Sequence, residues 1–145
     1  MEVKPLRERD VPKLQMLLDD LIGGSSDIQD IYRLLSEIAD KPYYKLFCLY
    51  EGNLLVGTAS LTKCFDLTGD CSYYYAMENF VIDRAYRHKG YGTFLLRAVE
   101  EYAVQSGGRY IGFLSSAIRK NAHAFYEKNG YDPNYTKGYK KVFKK

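Results

Sequence analysis

The chain has 145 residues, of which 46% are hydrophobic and 27% charged, and its formal net charge is +3. This length suits one domain that buries about 70% of its unfolded surface, and the composition is that of an ordinary globular protein. No apolar run approaches the roughly 20 residues of a membrane span, and the charge is too small to indicate nucleic-acid binding by itself.

The first half of the chain is predicted to form strands and two amphipathic helices. Leucines at helical spacing follow Asp10, a candidate N-cap, and the glycine–serine run at residues 23–26 ends that helix. The turn at residues 51–53 separates two apolar runs, which indicates a β-hairpin. In chain order the predicted elements are a strand over 1–6, a helix after Asp10, a helix over about 27–39, and strands over 46–50 and 54–61.

The second half is predicted to alternate strands and helices. The elements are a strand over 73–82, a helix with Phe94, Leu95, Ala98, Val99, Tyr102 and Ala103 toward the core, a buried strand over 110–114, a helix over 121–128 with a left-handed cap at Asn129-Gly130, and a last strand over 139–143. Because a helical crossover joins the strands at Val81 and Ile111, these strands are predicted to run parallel. The fold class is therefore α/β with a mixed sheet.

A glycine-rich turn within residues 79–93 is the most informative segment. It joins the strand that ends before Asp83 to a helix that begins at two alternate glycines, Gly90 and Gly92, and basic residues fill the turn. Glycine lets the backbone approach a ligand, and the first N–H groups of a helix lack intrahelical partners at the positive end of its dipole. The turn therefore predicts a site for an anion such as a phosphate group.

Three motifs in order narrow the identity of the phosphate ligand. The turn lacks the Gly-x-x-x-x-Gly-Lys-Ser/Thr loop of nucleoside triphosphatases, and Leu95 stands where a dinucleotide fingerprint needs its third glycine. The segment Arg87–Gly92 instead resembles the Arg/Gln-x-x-Gly-x-Gly/Ala acetyl-CoA loop of the GNAT N-acetyltransferase family. Residues 77–82 resemble the fourth strand of that family, and residues 121–131 resemble its Asn-x-x-Ala-x-x-Phe-Tyr-x-x-x-Gly-Phe/Tyr segment.

The resemblance implies one GNAT-like domain over residues 1–145. Its expected fold is a mixed, mostly antiparallel sheet with about four helices and a splayed pair of parallel strands that holds the acyl-CoA. It also implies acetyl-CoA as cosubstrate and no metal. The residues that the resemblance places at the cofactor are Phe80, Val81, Ile82, Arg87, His88, Lys89, Gly90, Tyr91, Gly92, Thr93 and Asn121. Asn121 could instead cap the last helix, and Lys89 could be a solvated basic side chain.

Acetyl transfer to an amine needs a base, an oxyanion donor and an acid. An amine of pKa about 10 must lose a proton before it attacks, and the leaving thiolate gains from a proton donor. The resemblance places Tyr126 as the acid and Glu78 as the base, acting directly or through a water. The structural alternatives are a binding or ordinary buried tyrosine and a carboxylate that satisfies the backbone or a nearby cation. Asn79 is expected on the opposite face of the strand from Glu78.

The histidines and cysteines predict no metal or nucleophilic chemistry. His88 and His123 are 35 positions apart without carboxylates at ligand spacing, so no metal site is expected. The odd number of cysteines (Cys48, Cys64 and Cys71) and the absence of a Cys-x-x-Cys pair indicate reduced thiols in the cytoplasm. The N-terminal residues carry no apolar run of the kind that a signal peptide needs.

Two further segments have ordinary structural explanations, and a third bears on the acceptor. The aromatic run Tyr73–Tyr75 is expected to pack in the sheet, with one ring at an acceptor pocket as the alternative. Lysines near the C-terminus discourage edge-to-edge pairing of a terminal strand. The acidic stretch from Asp19 and Asp20 to Asp30 is compatible with a cationic amine substrate.

The resulting hypothesis is a cytoplasmic N-acetyltransferase that acts on a small-molecule or protein amine. It includes no nucleic-acid or membrane partner and leaves a homodimer open. One alternative is an acyl-CoA-binding sensor that has lost turnover, and another is a nucleic-acid-binding module that uses residues 84–89 and the lysine tail. Retention of Tyr126 and Glu78 favours the enzyme, since a sensor needs neither. The loops at residues 23–26 and 65–72 match no subfamily that would identify the acceptor.

Overall fold

The computed structural model describes residues 1–144. The chain divides into a first unit, Met1–Gly112, and a second unit that begins at Phe113. The helices and strands are β1 (Glu2–Lys4), α1 (Val11–Ile22), α2 (Ile28–Ile38), β2 (Tyr44–Glu51), β3 (Leu54–Phe65), β4 (Tyr73–Ile82), α3 (Tyr91–Gln105), β5 (Gly108–Gly112) and α4 (Lys120–Lys128), with single 3-10 turns at Glu8–Asp10 and Arg84–Tyr86.

The first unit contains a five-stranded sheet in the order β1-β2-β3-β4-β5. The first four strands pair antiparallel, and β5 pairs parallel with β4. The α/β class, the mixed sheet and the parallel pair are therefore confirmed. The β4–β5 pairing runs from Tyr73 opposite Gly108 to Ala76 opposite Gly112. The second half of β4 thus extends beyond its paired part, as the predicted splay requires.

The core of the first unit lies between the sheet and helices α1 and α3. Its buried side chains on α3 are Leu95, Leu96, Val99 and Ala103. Phe94 is 40% exposed, so its predicted core position is wrong, and Leu96, which the prediction omitted, is buried. The rest of the predicted face is correct, since Leu95, Val99 and Ala103 are buried and Ala98 and Tyr102 are partly buried.

Two predicted strands differ from the observed structure. The strand predicted at 110–114 forms at Gly108–Gly112 and is only partly buried, because it lies beside a single neighbouring strand. A Cβ on Gly108 would lie 2.6 Å from a ring carbon of Tyr75, so glycine allows this close approach. The strand predicted at 139–143 is wrong, since these residues have no regular structure. Strands need a paired neighbour, and the described part of the second unit contains no other strand.

The aspartates that precede α1 and α2 act differently. The side chain of Asp27, which the sequence analysis did not single out as a cap, accepts a hydrogen bond from the N–H of Gln29 at 2.7 Å and caps α2. Asp10 precedes α1, but its carboxylate makes no cap hydrogen bond. It accepts instead from Arg7 Nε at 2.6 Å and from the hydroxyl of buried Tyr50 at 2.9 Å. Asp10 therefore fastens the start of α1 to β2.

The three consecutive tyrosines of β4 all pack against other rings. Tyr75 is buried and meets Tyr102 edge-on at 6.2 Å between ring centroids, and Tyr74 stacks on Tyr110 at 4.9 Å. Tyr73 packs edge-on against Phe65 at 5.6 Å, with Lys63 Nζ 3.7 Å from its ring centroid. These contacts agree with the packing interpretation of the aromatic run.

All three cysteines are free thiols in different surroundings. Cys48 in β2 is fully buried, Cys64 in β3 is partly buried and Cys71 is exposed. Burial raises the pKa of Cys48 to about 12. The thiol therefore stays protonated in the folded chain at a pH where an unfolded cysteine, with a pKa of about 8.5, ionises. The contribution of this pKa difference to the free energy of unfolding is complete below the pKa of the unfolded chain. It is lost as pH rises through the pKa of the folded chain.

We expect Cys71 to react with a thiol reagent at about pH 8 because it is exposed, and Cys48 to react only after unfolding, because its buried thiol stays protonated and the thiolate is the reactive species. Mass spectrometry of partially labelled protein would identify the modified residue. The same labelling in concentrated urea, where all three thiols should react, is the control. Labelling of Cys48 in the native chain as fast as Cys71 would contradict the burial.

Candidate functional site

The turn between β4 and α3 has the geometry of an anion site. Gly90 is the N-cap of α3 with φ of 88°, and His88 also adopts a left-handed conformation with φ of 59°. The first helical bond runs from the N–H of Phe94 to the carbonyl of Gly90 at 3.0 Å. The N–H groups of residues 91–93 therefore lie at the positive end of the helix dipole without intrahelical partners. A Cβ on Gly90 would have no protein atom within 4 Å, so space for a ligand lies beside it.

The basic side chains of the turn contact the protein itself. Arg87 Nε donates to the carbonyl of Ile82 at 2.8 Å, and its Nη2 donates to Asp20 of α1 at 2.6 Å. Lys89 Nζ donates to the carbonyl of Ala85 at 2.8 Å. These contacts join the turn to β4 and α1, while direct contact of either side chain with a phosphate stays a prediction.

A β-bulge interrupts β4 at the candidate base. Thr58 of β3 pairs with Val81, but Ser60 pairs with Glu78, so two residues of β4 oppose one residue of β3. Asn79 lies in this bulge with φ of 56°, a conformation that asparagine tolerates better than most residues. The buried Ser60 hydroxyl accepts from Asn79 Nδ2 at 3.1 Å and donates to the carbonyl of Glu78 at 3.2 Å.

The bulge ends the simple alternation of faces in β4. Glu78 and Asn79 are both exposed, whereas Phe80, Val81 and Ile82 are all buried. The expectation that Asn79 would lie opposite Glu78 assumed a period of two, which a bulge breaks. Sequence reasoning missed the bulge, and an asparagine inside an apolar strand was its one local sign.

The carboxylate of Glu78 is open to solvent in the half of β4 that extends past its pairing with β5. Among residues 1–144 it has no ion pair or side-chain hydrogen bond. The structural alternative, a carboxylate that neutralises a nearby cation, therefore has no such partner in this part of the chain. Its role as a base stays a prediction.

In the second unit, the end of helix α4 fixes the position of Tyr126. The N–H of Tyr131 bonds the carbonyl of Tyr126 at 3.1 Å, and the N–H of Gly130 bonds that of Glu127 at 3.0 Å. This is a Schellman motif with Gly130, at φ of 92°, as its left-handed residue, which confirms the predicted cap. The ring of Tyr126 packs against those of Phe113 and Tyr131, with centroids at 4.5 and 6.0 Å.

Burial keeps the Tyr126 phenol protonated. The side chain is 6% exposed, and this burial raises its pKa to about 12. A phenol with that pKa is neutral at pH 7 and retains the proton that a general acid must give. Asn121, also in the second unit, is exposed in the first turn of α4, and Arg119 takes the N-cap position. The alternative in which Asn121 caps this helix is therefore wrong.

The described residues contain no group of three or more histidine, cysteine, aspartate or glutamate side chains placed to hold a metal ion. His123 Nε2 lies 2.8 Å from the carbonyl of Ser116 within the second unit. Among the helices of residues 1–144, none combines the length and apolar character that a bilayer crossing requires.

Comparison with known proteins identifies the family. The model of the acetyltransferase (GNAT) family matches residues 14–131, which include β4, the glycine turn and α4. The chain belongs to the GNAT acetyltransferase family. It is 27% identical over 108 residues to the uncharacterized N-acetyltransferase YhfO of Bacillus subtilis (strain 168), covering 74% of this chain and 72% of that one.

Solved structures agree with this membership. A GNAT family acetyltransferase of Staphylococcus aureus subsp. aureus USA300_TCH1516 is 27% identical, with a TM-score of 0.80 and 98% coverage of both chains. A structure described as a transcriptional regulator from Bacillus halodurans C-125 has a TM-score of 0.89 at 23% identity, covering 98% of this chain and 99% of that one. At that identity the second likeness shows the fold alone.

Two residues of the acidic stretch that was thought compatible with a cationic substrate have partners within the protein. Asp19 Oδ1 accepts from the N–H of Ser26 at 2.8 Å, and Asp20 binds Arg84 and Arg87. Both carboxylates therefore have partners inside the protein, so the acidic stretch is not a free surface for a cationic amine. No local signal identifies the partners of Asp20, which lie more than sixty residues away in the chain.

Proposed function

We propose that this GNAT family member is an N-acetyltransferase that uses acetyl-CoA and acetylates a primary amine by direct attack. The observation that carries the proposal is the N-terminus of α3, where Gly90 leaves open space beside N–H groups without intrahelical partners. In the same unit, the second half of β4 lies beyond its pairing with β5. A diphosphate at the turn and a pantetheine arm along β4 match these two features.

Different groups of the protein bind different parts of acetyl-CoA. The N–H groups of residues 87–93, the segment that contains Arg87, His88 and Lys89, hold the diphosphate. Backbone groups of Phe80–Ile82 bind the pantetheine amides, and an N–H of this strand stabilises the developing oxyanion. Asn121 contacts the cofactor near the pantetheine arm. We further propose that residues 1–145 act as one domain, in the cytoplasm.

The reaction transfers one acetyl group and removes two protons from the acceptor nitrogen. Glu78, directly or through a water, takes the first proton from the ammonium form of the acceptor, and the free amine attacks the thioester carbonyl. The new C–N bond forms as the C–S bond breaks, and the attacking nitrogen loses its second proton to solvent. Tyr126 gives its proton to the leaving thiolate, and solvent restores it. No metal and no covalent enzyme intermediate take part in these steps.

The first test concerns the diphosphate site. Gly90→Val should raise the dissociation constant of CoA at least about tenfold, because the side chain would occupy the open space and oppose the left-handed conformation. Isothermal titration calorimetry measures this constant. Gly107→Val is a matched control at the other end of α3, where φ is 81° and a Cβ likewise has no atom within 4 Å.

The control should lose stability to a similar extent and bind CoA normally, since both substitutions place a branched residue at positive φ. Thermal unfolding of the two variants separates lost folding from lost binding. Wild-type CoA affinity in a folded Gly90→Val protein would refute the placement of the diphosphate.

Turnover separates the enzyme from an acyl-CoA sensor. A panel of amines is assayed for thiol release that depends on acetyl-CoA, and each product is identified by mass spectrometry. The proposal predicts an acetylated amine with a mass increase of one acetyl group and an equal amount of free CoA. CoA binding without a product from any small-molecule or peptide amine would favour the sensor.

A further inference from the structure

One carboxylate on α1 binds two arginines of the glycine turn. Asp20 Oδ1 accepts from Arg84 Nε at 2.8 Å, and its Oδ2 accepts from Arg87 Nη2 at 2.6 Å. The carboxylate is largely shielded, with 21% of the side chain exposed, and the Arg84 guanidinium beside it lowers its pKa. Asp20 therefore stays ionised when the chain is near neutral pH, and it joins α1 to the turn by charge-assisted hydrogen bonds.

Further contacts hold the same segment of the turn. Arg87 Nε donates to the carbonyl of Ile82 at 2.8 Å, so its side chain joins the turn to the end of β4. Asp83 Oδ1 accepts from the N–H of Ala85 at 2.9 Å, and its Oδ2 pairs with Lys13 of α1. Two residues of α1, Lys13 and Asp20, thus hold residues 82–87 in place.

The placement of Asp20 is unexpected on electrostatic grounds alone. A carboxylate near an anion site repels a diphosphate, and this one also neutralises two arginines that could attract it. Any contribution of Asp20 to diphosphate binding must therefore come from the geometry that it imposes on the turn. Residues 88–90, which follow directly, need two left-handed backbone conformations to aim the N–H groups at the start of α3. A fixed segment before them limits the other arrangements of the turn.

We propose that Asp20 is a positioning residue that holds the glycine turn in the shape that binds the diphosphate of CoA. This role rests on the proposed function and assigns Arg84 and Arg87 to the support of the turn. Arg87 acts on the ligand through the backbone that its side chain holds. The arginines then contribute to affinity by keeping the N–H groups in place before the ligand arrives.

The direction in which Asp20→Asn changes the affinity for CoA tests this role. Asp20→Asn removes a negative charge near the site, so electrostatics alone would make CoA bind more tightly. The positioning role predicts the reverse, a rise of about fivefold to tenfold in the dissociation constant, because amide contacts to the two arginines are weaker. Asp30→Asn is the matched control, since Asp30 lies on α2 and pairs with Arg33 at the surface. It should leave CoA affinity unchanged.

Kinetics and a conservative variant distinguish positioning from a general loss of structure. In Asp20→Asn the KM for acetyl-CoA should rise with little change in kcat at saturation, whereas partial unfolding lowers kcat through the active fraction. Asp20→Glu keeps the charge and should recover part of the affinity. Repeating the CoA titration at high salt should preserve the difference between Asp20→Asn and wild type, because screening removes only the long-range charge effect.

The outcomes of this test are separate from those of the proposed function. A wild-type chain that does not bind CoA overturns the proposed function, and the role of Asp20 with it. A wild-type chain that binds CoA, beside an Asp20→Asn variant that binds equally or more tightly, overturns the positioning role alone. If Asp20→Asn does not fold, Arg84→Gln replaces it, since 78% of the Arg84 side chain is exposed. The loss of CoA affinity in Arg84→Gln must also persist at high salt. A loss that high salt abolishes overturns the positioning role of Asp20.

Discussion

Tyr126→Phe is expected to lower kcat by about 100-fold while leaving the affinity for acetyl-CoA close to that of the wild type. The substitution removes one hydroxyl and keeps the ring that packs against Phe113 and Tyr131. Loss of a general acid costs about this factor, because the thiolate must then leave without a proton. Steady-state kinetics with saturating acetyl-CoA, together with calorimetric titration of CoA, measures the two quantities separately.

The raised pKa of Tyr126 adds a pH criterion. With a pKa of about 12, the phenol does not ionise between neutral pH and about pH 10, so this group causes no alkaline loss of wild-type activity there. Tyr131→Phe is the matched control, since it removes a hydroxyl from the same ring cluster, and it should retain most of kcat. A Tyr126→Phe enzyme with wild-type kcat on its true acceptor would leave Tyr126 as a packing residue.

Features with short-range causes were predicted well from the sequence. Strand β4 begins at Tyr73 and ends at Ile82 as expected, because a run of strand-forming residues lies between turn residues. Gly90 and Gly130 adopt the left-handed conformations that their neighbourhoods indicated. In each case the controlling interaction, a cap or a turn, lies within a few residues along the chain.

Features with long-range causes were not predicted. Asp20 contacts arginines 64 and 67 residues away, and Ser60 holds a bulge 19 residues along the chain, so neither role leaves a local pattern. The bulge also explains why the face of Asn79 was predicted incorrectly, since one extra residue reverses every later position of the strand. The strand expected at 139–143 does not form, although its residues favour strands, because a strand needs a neighbouring strand to complete its ladder of hydrogen bonds.

Family membership and geometry contribute different parts of the candidate site. The motifs identify the turn, β4 and α4, and the matched residues 14–131 span all three. The structure adds what motifs do not contain: the open space at Gly90, the side-chain contacts that hold the turn, and the bulge that directly follows the exposed Glu78. The chemical roles of Tyr126 and Glu78 can be tested with variants that remove the proton-donating or proton-accepting group and keep this geometry.

Glu78→Gln is such a variant, and it should reduce kcat by about 10-fold to 100-fold near neutral pH. The bulge should persist, because Ser60 bonds the backbone carbonyl of residue 78 and Asn79, neither of which the substitution alters. Without the carboxylate, the reaction depends on the small fraction of acceptor that is already a free amine. That fraction rises about tenfold for each pH unit below the amine pKa of about 10.

The defect of Glu78→Gln should therefore shrink as pH rises, whereas that of Tyr126→Phe should persist across the range, since it lowers the plateau of the profile. Rates of both variants from about pH 6.5 to 9.5, on an acceptor of known pKa, compare the two shapes. Glu37→Gln is the control, because Glu37 is an exposed carboxylate of α2 that pairs with Arg33. A Glu78→Gln deficit that stays constant with pH would assign Glu78 to binding or to the structure of the bulge, and proton removal from the amine would then fall to water.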